Sequence, residues 1–161
     1  MQIKFQINGR PVTWEVAPGA ILLDVLRENG HTEVKRGCDT GDCGACTVLV
    51  DGKAHSSCSM LAGQVEGREV TTITGLGDAI DPHPLQDAWV EVGAVQCGYC
   101  TPGMILSAKA LLDEIPQPDE DDIKDALSGN LCRCTGYVKP IEAVKLTVKR
   151  LANTTGDKNV R

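Results

Sequence analysis

Eight cysteines are the residues of this 161-residue chain whose type and spacing most plainly predict chemistry. The first group of four is a C-x4-C-x2-C run followed, after eleven more residues, by another cysteine. The second group joins a C-x2-C pair to a C-x-C pair across 31 residues. Such a number of thiols indicates either a disulfide framework or metal ligands. The groups consist of Cys38, Cys43, Cys46 and Cys58, and of Cys97, Cys100, Cys132 and Cys134.

Metal ligation is favoured by the compartment that the N-terminus predicts. Residues 2–7 alternate polar and apolar side chains and contain no apolar signal-peptide core, so we expect a cytoplasmic protein. A disulfide framework would need an oxidising compartment. The net charge of −6 argues against nucleic acid as a partner. No apolar run approaches the roughly 18 residues that predict a membrane span.

The first group has the spacing of plant-type 2Fe–2S ferredoxins. Gly37, Gly41 and Gly44 lie among its cysteines, where a loop wrapped around a cluster needs positive φ angles and close backbone approach. Such a loop also turns backbone N–H groups toward the sulfurs and stabilises an anionic cluster. The alternative is structural zinc, which usually takes two short cysteine knuckles, whereas three of these cysteines crowd one loop. The gap to Cys58 is shorter than in plant ferredoxins.

The second group is ambiguous by spacing alone. Its Cys97-x2-Cys100 and Cys132-x-Cys134 pairs fit both a four-cysteine zinc site and a second iron–sulfur cluster. A redox disulfide at the C-x-x-C pair would normally accompany a βαβ unit, which the surrounding sequence does not predict. Helices are predicted after each pair, and their positive N-terminal dipoles favour an anionic cluster without identifying the metal.

The first half of the sequence predicts a small mixed sheet crossed by one helix. Residues 2–7 alternate, and Val12, Trp14 and Val16 alternate again after the Asn8-Gly9 turn signal, as in a hairpin. We expect a helix over residues 20–28, an extended loop over 31–46, and strands at 47–50, after Asp51-Gly52, and at 70–73.

The second half predicts helices and no strand. Four helices are expected: over residues 84–95, from Pro102 with Thr101 as its cap, from Asp119 as a cap to about Ser128, and from Pro140 onward. Each cysteine pair of the second group lies at the bend of a helical hairpin, so two hairpins with their bends together would form a four-helix bundle. The expected organisation is α+β, with a domain at 1–76, a linker at 77–83, a helical domain at 84–152 and a polar tail at 153–161.

Three stretches resemble the small iron–sulfur subunit of the xanthine oxidase family of molybdenum hydroxylases. They are residues 37–48 (GCDTGDCGACTV), 96–104 (QCGYCTPGM) and 129–137 (GNLCRCTGY), and the HPLQ stretch at 83–86 matches as well. The resemblance extends in order over residues 2–150. It implies a β-grasp, plant-type ferredoxin-like domain followed by an all-α four-helix-bundle domain, each with one 2Fe–2S cluster. The short gap before Cys58 is usual in this family.

The resemblance also implies roles that spacing does not give. The first cysteine group would hold the ferredoxin-like cluster and the second group the helical cluster, while Gln96 and Cys134 would approach the molybdopterin of a large partner subunit. Electrons would pass from substrate to molybdenum, to the helical cluster, to the ferredoxin-like cluster, and then to a medium FAD-binding subunit or another acceptor. Some members reverse this flow. The complex would be a hetero-oligomer, for example a dimer of heterotrimers.

The leading interpretation is therefore the electron-transfer subunit of a molybdenum-dependent oxidoreductase, with no catalytic pocket on this chain. Two alternatives come from other classes: a stand-alone two-cluster ferredoxin acting as a mobile carrier, and a zinc-stabilised interaction module. The predicted bundle disfavours the free carrier, which has no need of a second domain that presents a cluster to a pterin. With eight thiols available, we expect none of His31, His55 and His83 to be a ligand, and His83 to help start a helix.

Overall fold

A five-stranded mixed sheet builds the first half of the chain. The computed structural model describes residues 1–156, with side chains to residue 153. The strands are β1 (Gln2–Ile7), β2 (Arg10–Glu15), β3 (Thr47–Val50), β4 (Lys53–Ser56) and β5 (Glu69–Thr71), in the order β2-β1-β5-β3-β4. β5 runs parallel to β1, and the other neighbouring pairs are antiparallel.

The hairpin predicted at the N-terminus is confirmed. Ile3, Phe5 and Ile7 of β1 are buried, because the alternation of the sequence turns one face of the strand into the core. Asn8 and Gly9 have φ angles of 50° and 74°, and two successive positive φ angles are what a two-residue type I′ turn requires.

Helix α1 (Leu22–Glu28) closes the core of the sheet. Cys46 and Cys58 belong to this same hydrophobic core, and a 3₁₀ turn at Ser57–Ser59 carries Cys58. Packing therefore fixes two of the candidate ligands directly. The helix contributes the buried side chains Leu22, Leu23, Val25 and Leu26.

Five helices follow the sheet: α2 (Ile73–Leu76), α3 (Pro84–Glu91), α4 (Thr101–Glu114), α5 (Glu120–Ser128) and α6 (Val138–Gly156). The last four share a second hydrophobic core, in which α3 packs on α6 and α4 on α5. The fold is thus α+β, and we call residues 1–72 the sheet half and residues 73–156 the helical half. Within these residues no helix is both long and apolar enough to cross a membrane.

Two predicted helix starts are confirmed by their capping interactions. The Nδ1 atom of His83 accepts a hydrogen bond from the N–H of Leu85 at 3.2 Å, at the start of α3. The carboxylate of Asp119 accepts from the N–H groups of Asp121 and Asp122, both at 2.9 Å. Because these side chains satisfy N–H groups that the first helical turn leaves free, both helices begin at defined residues.

Two element ends differ from the prediction. The strand expected over residues 70–73 stops at Thr71, and Ile73 instead begins the short helix α2. The helix expected over 84–95 ends at Glu91, because Gly93 adopts a φ of 71° that a right-handed helix cannot continue through.

The starts of α4 and α6 also differ from the prediction. Thr101 lies inside the first turn of α4, whose N-cap is Cys100. Helix α6 begins at Val138, so Pro140 lies within its first turn, where a missing N–H removes no helical hydrogen bond. Residues 153–156, predicted as the start of a polar tail, belong to α6, and residues 157–161 of that tail lie outside the described residues.

The sheet half and the helical half meet by direct backbone contact. A Cβ atom on Gly103 of α4 would lie 2.3 Å from the carbonyl oxygen of Gly44, and a Cβ on Gly44 would lie 2.3 Å from the carbonyl oxygen of Gly129. A side chain does not fit in gaps of this size, so glycine is required at both Gly44 and Gly103. Asn130 bridges the same junction, since its Nδ2 atom donates to the Gly44 carbonyl at 3.0 Å.

Gly103→Ala should therefore destabilise the protein, although alanine favours a helix more than glycine does. The added Cβ must displace the Gly44 backbone, and overpacking of this kind typically costs about 1–3 kcal/mol in the free energy of unfolding. We expect thermal unfolding to show a melting temperature lower by about 3–10 °C.

Gly129→Ala is the matched control, because its Cβ would meet nothing within 4 Å and its φ is −78°. Equal losses of melting temperature in the two variants would contradict a specific role for the contact between Gly103 and Gly44.

Candidate metal centres

The first cysteine group forms where the loop before β3 meets the 3₁₀ turn after β4. Cys38, Cys43 and Cys46 come from the loop, and Cys58 comes from the turn. Cys46 and Cys58 are buried, whereas Cys38 and Cys43 are half-buried. The group therefore extends from the core of the sheet half toward its surface.

The loop closes tightly around its sulfur atoms, as its glycines predicted. Gly41 has a φ of 84°, and a Cβ on Gly37 would lie 2.6 Å from Cys43 Sγ. The N–H groups of Thr40 and Cys43 point at Cys38 Sγ, with nitrogen-to-sulfur distances of 3.5 Å and 3.4 Å. The loop thus presents backbone donors to a sulfur atom, which is the arrangement that stabilises a metal-bound thiolate.

The same contacts set the protonation of the thiols. Hydrogen bonds from the Thr40 side chain and N–H, and then from Cys43, lower the pKa of Cys38 to about 6. At neutral pH this favours the thiolate, which is the form that binds metal. Burial, reinforced by the adjoining Cys46 thiol, raises the pKa of Cys58 to about 11. Without a cation, the Cys58 thiol therefore resists ionisation.

The second cysteine group joins two helical bends. Cys97 and Cys100 lie between α3 and α4, and Cys132 and Cys134 lie between α5 and α6. The Sγ atoms of Cys97 and Cys134 are 3.6 Å apart, and the Cys100 thiol contacts that of Cys132. The two bends therefore come together, as the repeated order of helix, cysteine pair and helix predicted. Cys100 is the N-cap of α4, so the positive end of that helix dipole lies at the site.

Two hydroxyl groups form hydrogen bonds with Cys132, whose thiol is more readily ionised than that of its neighbour Cys100. Burial, reinforced by the Cys132 side chain, raises the pKa of Cys100 to about 12. Burial acts in the same direction on Cys132, but hydrogen bonds from Thr135 and from the Cys134 backbone outweigh it and lower the pKa of Cys132 to about 7. The Thr135 Oγ1 atom lies 3.2 Å from Cys132 Sγ, and the Tyr137 hydroxyl accepts the Cys132 N–H at 2.8 Å. Neither role was predicted from the sequence, because a hydroxyl near a cysteine carries no spacing signal.

The eight thiols form four contacting pairs, two in each site. Two thiolates in contact repel each other unless a cation neutralises them, so the pairs favour metal over free thiolates. A 2Fe–2S cluster takes four cysteine thiolates, two on each iron, which suits this paired arrangement. Among residues 1–156, no three His, Cys, Asp or Glu side chains converge on a point where a single metal ion would sit. The pairs are Cys38–Cys43, Cys46–Cys58, Cys97–Cys134 and Cys100–Cys132.

The second site opens to the surface. Cys97 and Cys134 are exposed, in contrast to the buried thiols of the first site. The Nε2 atom of Gln96 donates to the Cys134 carbonyl oxygen at 3.1 Å. The two residues that the resemblance associates with the pterin therefore lie side by side on the exposed edge of this site.

The two sites are direct neighbours. One pocket of about 270 Å³ is lined by Cys43 and Ala45 from the first site and by all four cysteines of the second. The N–H of Leu131 donates to the carbonyl oxygen of Cys43 at 2.9 Å. Because Leu131 precedes Cys132, a single hydrogen bond joins the backbones that carry one thiol of each site.

The histidines have other surroundings. His31 Nδ1 lies 3.0 Å from a carboxylate oxygen of Glu33, His83 caps α3, and His55 lies in β4. In each case the residue has a structural setting outside the two cysteine groups.

Comparison with protein families gives a cluster type for each half. The 2Fe-2S iron-sulfur cluster binding domain matches residues 5–72, and the 2Fe-2S binding domain matches residues 72–145. The chain therefore carries two successive 2Fe–2S binding domains, and the zinc alternative is not supported.

Two relatives match nearly the whole chain. The nicotinate dehydrogenase small FeS subunit of Eubacterium barkeri is 51% identical over 152 residues, covering 94% of this chain and 97% of the relative. The nicotine 6-hydroxylase small subunit of Paenarthrobacter nicotinovorans is 43% identical over 157 residues, covering 97% of this chain and 94% of the relative.

Solved structures give the same result. A chain of quinoline 2-oxidoreductase from Pseudomonas putida 86 superposes with a TM-score of 0.89 at 42% identity, covering 95% of this chain and 96% of that one. Aldehyde oxidoreductase from Desulfovibrio gigas superposes with a TM-score of 0.92 at 42% identity, where this chain spans only 17% of the larger polypeptide. The two matched domains and the identity to these relatives over nearly the whole chain show that the chain belongs to the small iron–sulfur subunits of the xanthine oxidase family of molybdenum hydroxylases.

Proposed function

We propose that this chain relays electrons to an acceptor, such as an FAD-binding protein, from the molybdopterin site of a large partner subunit. The observation that carries the proposal is the placement of two four-thiol sites next to each other, one with two exposed cysteines and the other with two buried cysteines. When bound, each 2Fe–2S cluster supplies a one-electron carrier. An exposed site suits exchange with a partner, and an adjacent inner site extends the route through the chain.

The ligands in this proposal are the eight cysteines in their four pairs. The first cysteine group holds the cluster of the sheet half, and the second cysteine group holds the cluster of the helical half. The hydrogen bonds to Cys38 and Cys132 support this assignment, because they favour the thiolate that iron requires. Contacting thiolates repel each other, and a bound metal is the group that relieves this repulsion.

The two separate hydrophobic cores support a division into two domains. We propose a ferredoxin-like domain of the β-grasp type at 1–76, a linker at 77–83 and a helical domain at 84–152 with the architecture of a four-helix bundle. Support comes from separate cores in the sheet half and the helical half, and from the packing of α3 on α6 and α4 on α5.

The exposed edge of the second site is the surface we propose for the large subunit. Gln96 and Cys134 would face its pterin. Large apolar side chains adjoining the cysteine pairs are also exposed, and an apolar surface of this kind is typical of a contact with another protein. They are Val95, Tyr99, Leu131 and Val138.

The proposal of a multi-subunit complex is based on the relatives. The Eubacterium barkeri and Paenarthrobacter nicotinovorans proteins are named as small subunits of a nicotinate dehydrogenase and a nicotine 6-hydroxylase, so a multi-subunit oxidoreductase is proposed here rather than a free ferredoxin. We further propose a hetero-oligomer, such as a dimer of heterotrimers. Its place would be the cytoplasm, since a reducing compartment keeps eight cysteines available as ligands.

The purified protein should contain about four irons and about four acid-labile sulfides per chain, from two clusters of two irons each. We expect a brown protein whose visible absorption bleaches with dithionite. Metal analysis and the visible spectrum check this directly. A colourless protein containing zinc would contradict the proposal and favour the interaction module.

Cys134→Ala and Cys38→Ala form a reciprocal pair that tests the order of the two sites. Each variant removes one thiol from one site, so each should lose about two irons per chain and one of two electron paramagnetic resonance (EPR) signals. In the assembled complex, Cys134→Ala should also abolish fast reduction of the remaining cluster by substrate, because the site nearest molybdenum is broken.

Cys38→Ala, by contrast, should leave the helical cluster reducible by substrate. Fast substrate reduction of the ferredoxin-like cluster in Cys134→Ala would show that the proposed order is wrong.

A further inference from the structure

The junction between the two sites is organised by one buried side chain. Asn130 is only 2% exposed, although it lies in the loop between α5 and α6. Its Nδ2 atom donates to the carbonyl oxygen of Gly44 at 3.0 Å and to the Thr47 hydroxyl at 3.3 Å. The Thr47 hydroxyl in turn donates to the same Gly44 carbonyl at 2.7 Å. The Asn130 amide nitrogen is therefore directed into the sheet half.

The residues on either side of this contact belong to the candidate ligand loops. Gly44 directly follows Cys43, and Asn130 lies two residues before Cys132. Between them, the N–H of Leu131 donates to the Cys43 carbonyl oxygen at 2.9 Å. The link from Cys43 Sγ to Cys132 Sγ then consists of about ten covalent bonds and this one hydrogen bond.

The hydrogen bond from Tyr99 also crosses the junction, but it gives a longer link between the two cysteine groups. The hydroxyl of Tyr99, the residue before Cys100, donates to the carbonyl oxygen of Arg36. This route includes the whole tyrosine side chain and two backbone steps to Cys38, so it contains nearly twice as many covalent bonds. Tyr99 is also 47% exposed, whereas the Asn130 contact is buried. The backbone link beside Asn130 is the shorter and better protected connection.

We propose that Asn130 is a positioning residue for electron transfer between the two clusters. By holding the Gly44 carbonyl, Asn130 keeps Cys43 O and the Leu131 N–H within hydrogen-bond distance. The lack of side chains at Gly44 and Gly103 permits this approach, and Asn130 fixes its register. The inference rests on the proposed electron-transfer function. In it, Asn130 acts through the backbone of the cysteine loops and is not itself a cluster ligand.

The test uses the cluster-loaded protein and the variant Asn130→Ala. Asn29→Ala is the matched control, because the Asn29 amide also donates to a backbone carbonyl, that of Val25 at 2.8 Å, but at the end of α1. Iron content, the two midpoint potentials and the separate EPR signals establish that both clusters are intact. The informative readouts are the rate of electron transfer between the clusters after flash reduction, the magnetic coupling between the two reduced clusters, and hydrogen exchange at the Leu131 amide.

Asn130→Ala should slow the inter-cluster rate by about tenfold, which on the transition-state scale corresponds to ~1.4 kcal/mol. It should also weaken the magnetic coupling and speed exchange at the Leu131 amide, while Asn29→Ala changes none of the three. An unchanged rate and coupling with both clusters intact would overturn the proposal.

Should Asn130→Ala fail to load iron, Thr47→Val gives the decision. It removes only the hydroxyl that Asn130 and Gly44 share, and a slower rate with four irons present supports the proposal, whereas a wild-type rate overturns it. A wild-type protein without iron would instead refute the proposed function itself, so the two failures are distinguishable.

Discussion

The repulsion between closely packed thiolates is the constraint on which the rest of this structure depends. Each site places four thiols in two contacting pairs, and burial with the adjoining thiol raises the pKa of Cys58 to about 11 and that of Cys100 to about 12. Such pairs favour iron, because a cation lets both sulfurs ionise together. At two other thiols the fold favours ionisation directly, because N–H groups and hydroxyls stabilise the thiolates of Cys38 and Cys132. The glycine-rich loop and the two helical bends thus both place four thiols close together and supply hydrogen-bond donors to one of them.

A second constraint comes from bringing the two sites close together within one chain. The sheet half and the helical half could have been joined loosely, since each has its own hydrophobic core. Instead, Gly44 and Gly103 allow backbone contact, and the buried amide of Asn130 occupies the junction. Because of this close packing, the relative position of the two halves depends on a few atoms at the junction. Electron transfer depends steeply on separation and coupling, so such a junction serves the proposed function directly.

Much of this was predictable from the sequence, and the failures have physical causes. Alternation located β1 and β2, the capping residues His83 and Asp119 located two helices, and the repeated cysteine pairs predicted that two bends would meet. Two of the element ends that differ from the prediction have local causes. Ile73 begins helix α2 instead of continuing its strand, and Pro140 fits inside the first turn of α6, where its missing N–H costs no hydrogen bond. The role of Asn130 depends on contacts with a loop distant in sequence, which no local pattern encodes. Thr135 and Tyr137 lie only three and five residues after Cys132, but their contacts depend on how that loop folds, which the spacing of the cysteines does not show. For the second cysteine group, spacing alone was compatible with both a zinc site and an iron–sulfur cluster, and the family comparison favours the 2Fe–2S cluster.

The central claim is that one chain carries two distinct and neighbouring one-electron centres. A reductive titration of the isolated protein followed by quantitative EPR tests it most directly. Full reduction should yield two different signals, each integrating to about one unpaired electron per chain, with splitting or broadening that appears only when both centres are reduced. A single signal, or two signals with no mutual interaction at any stage of reduction, would contradict the account.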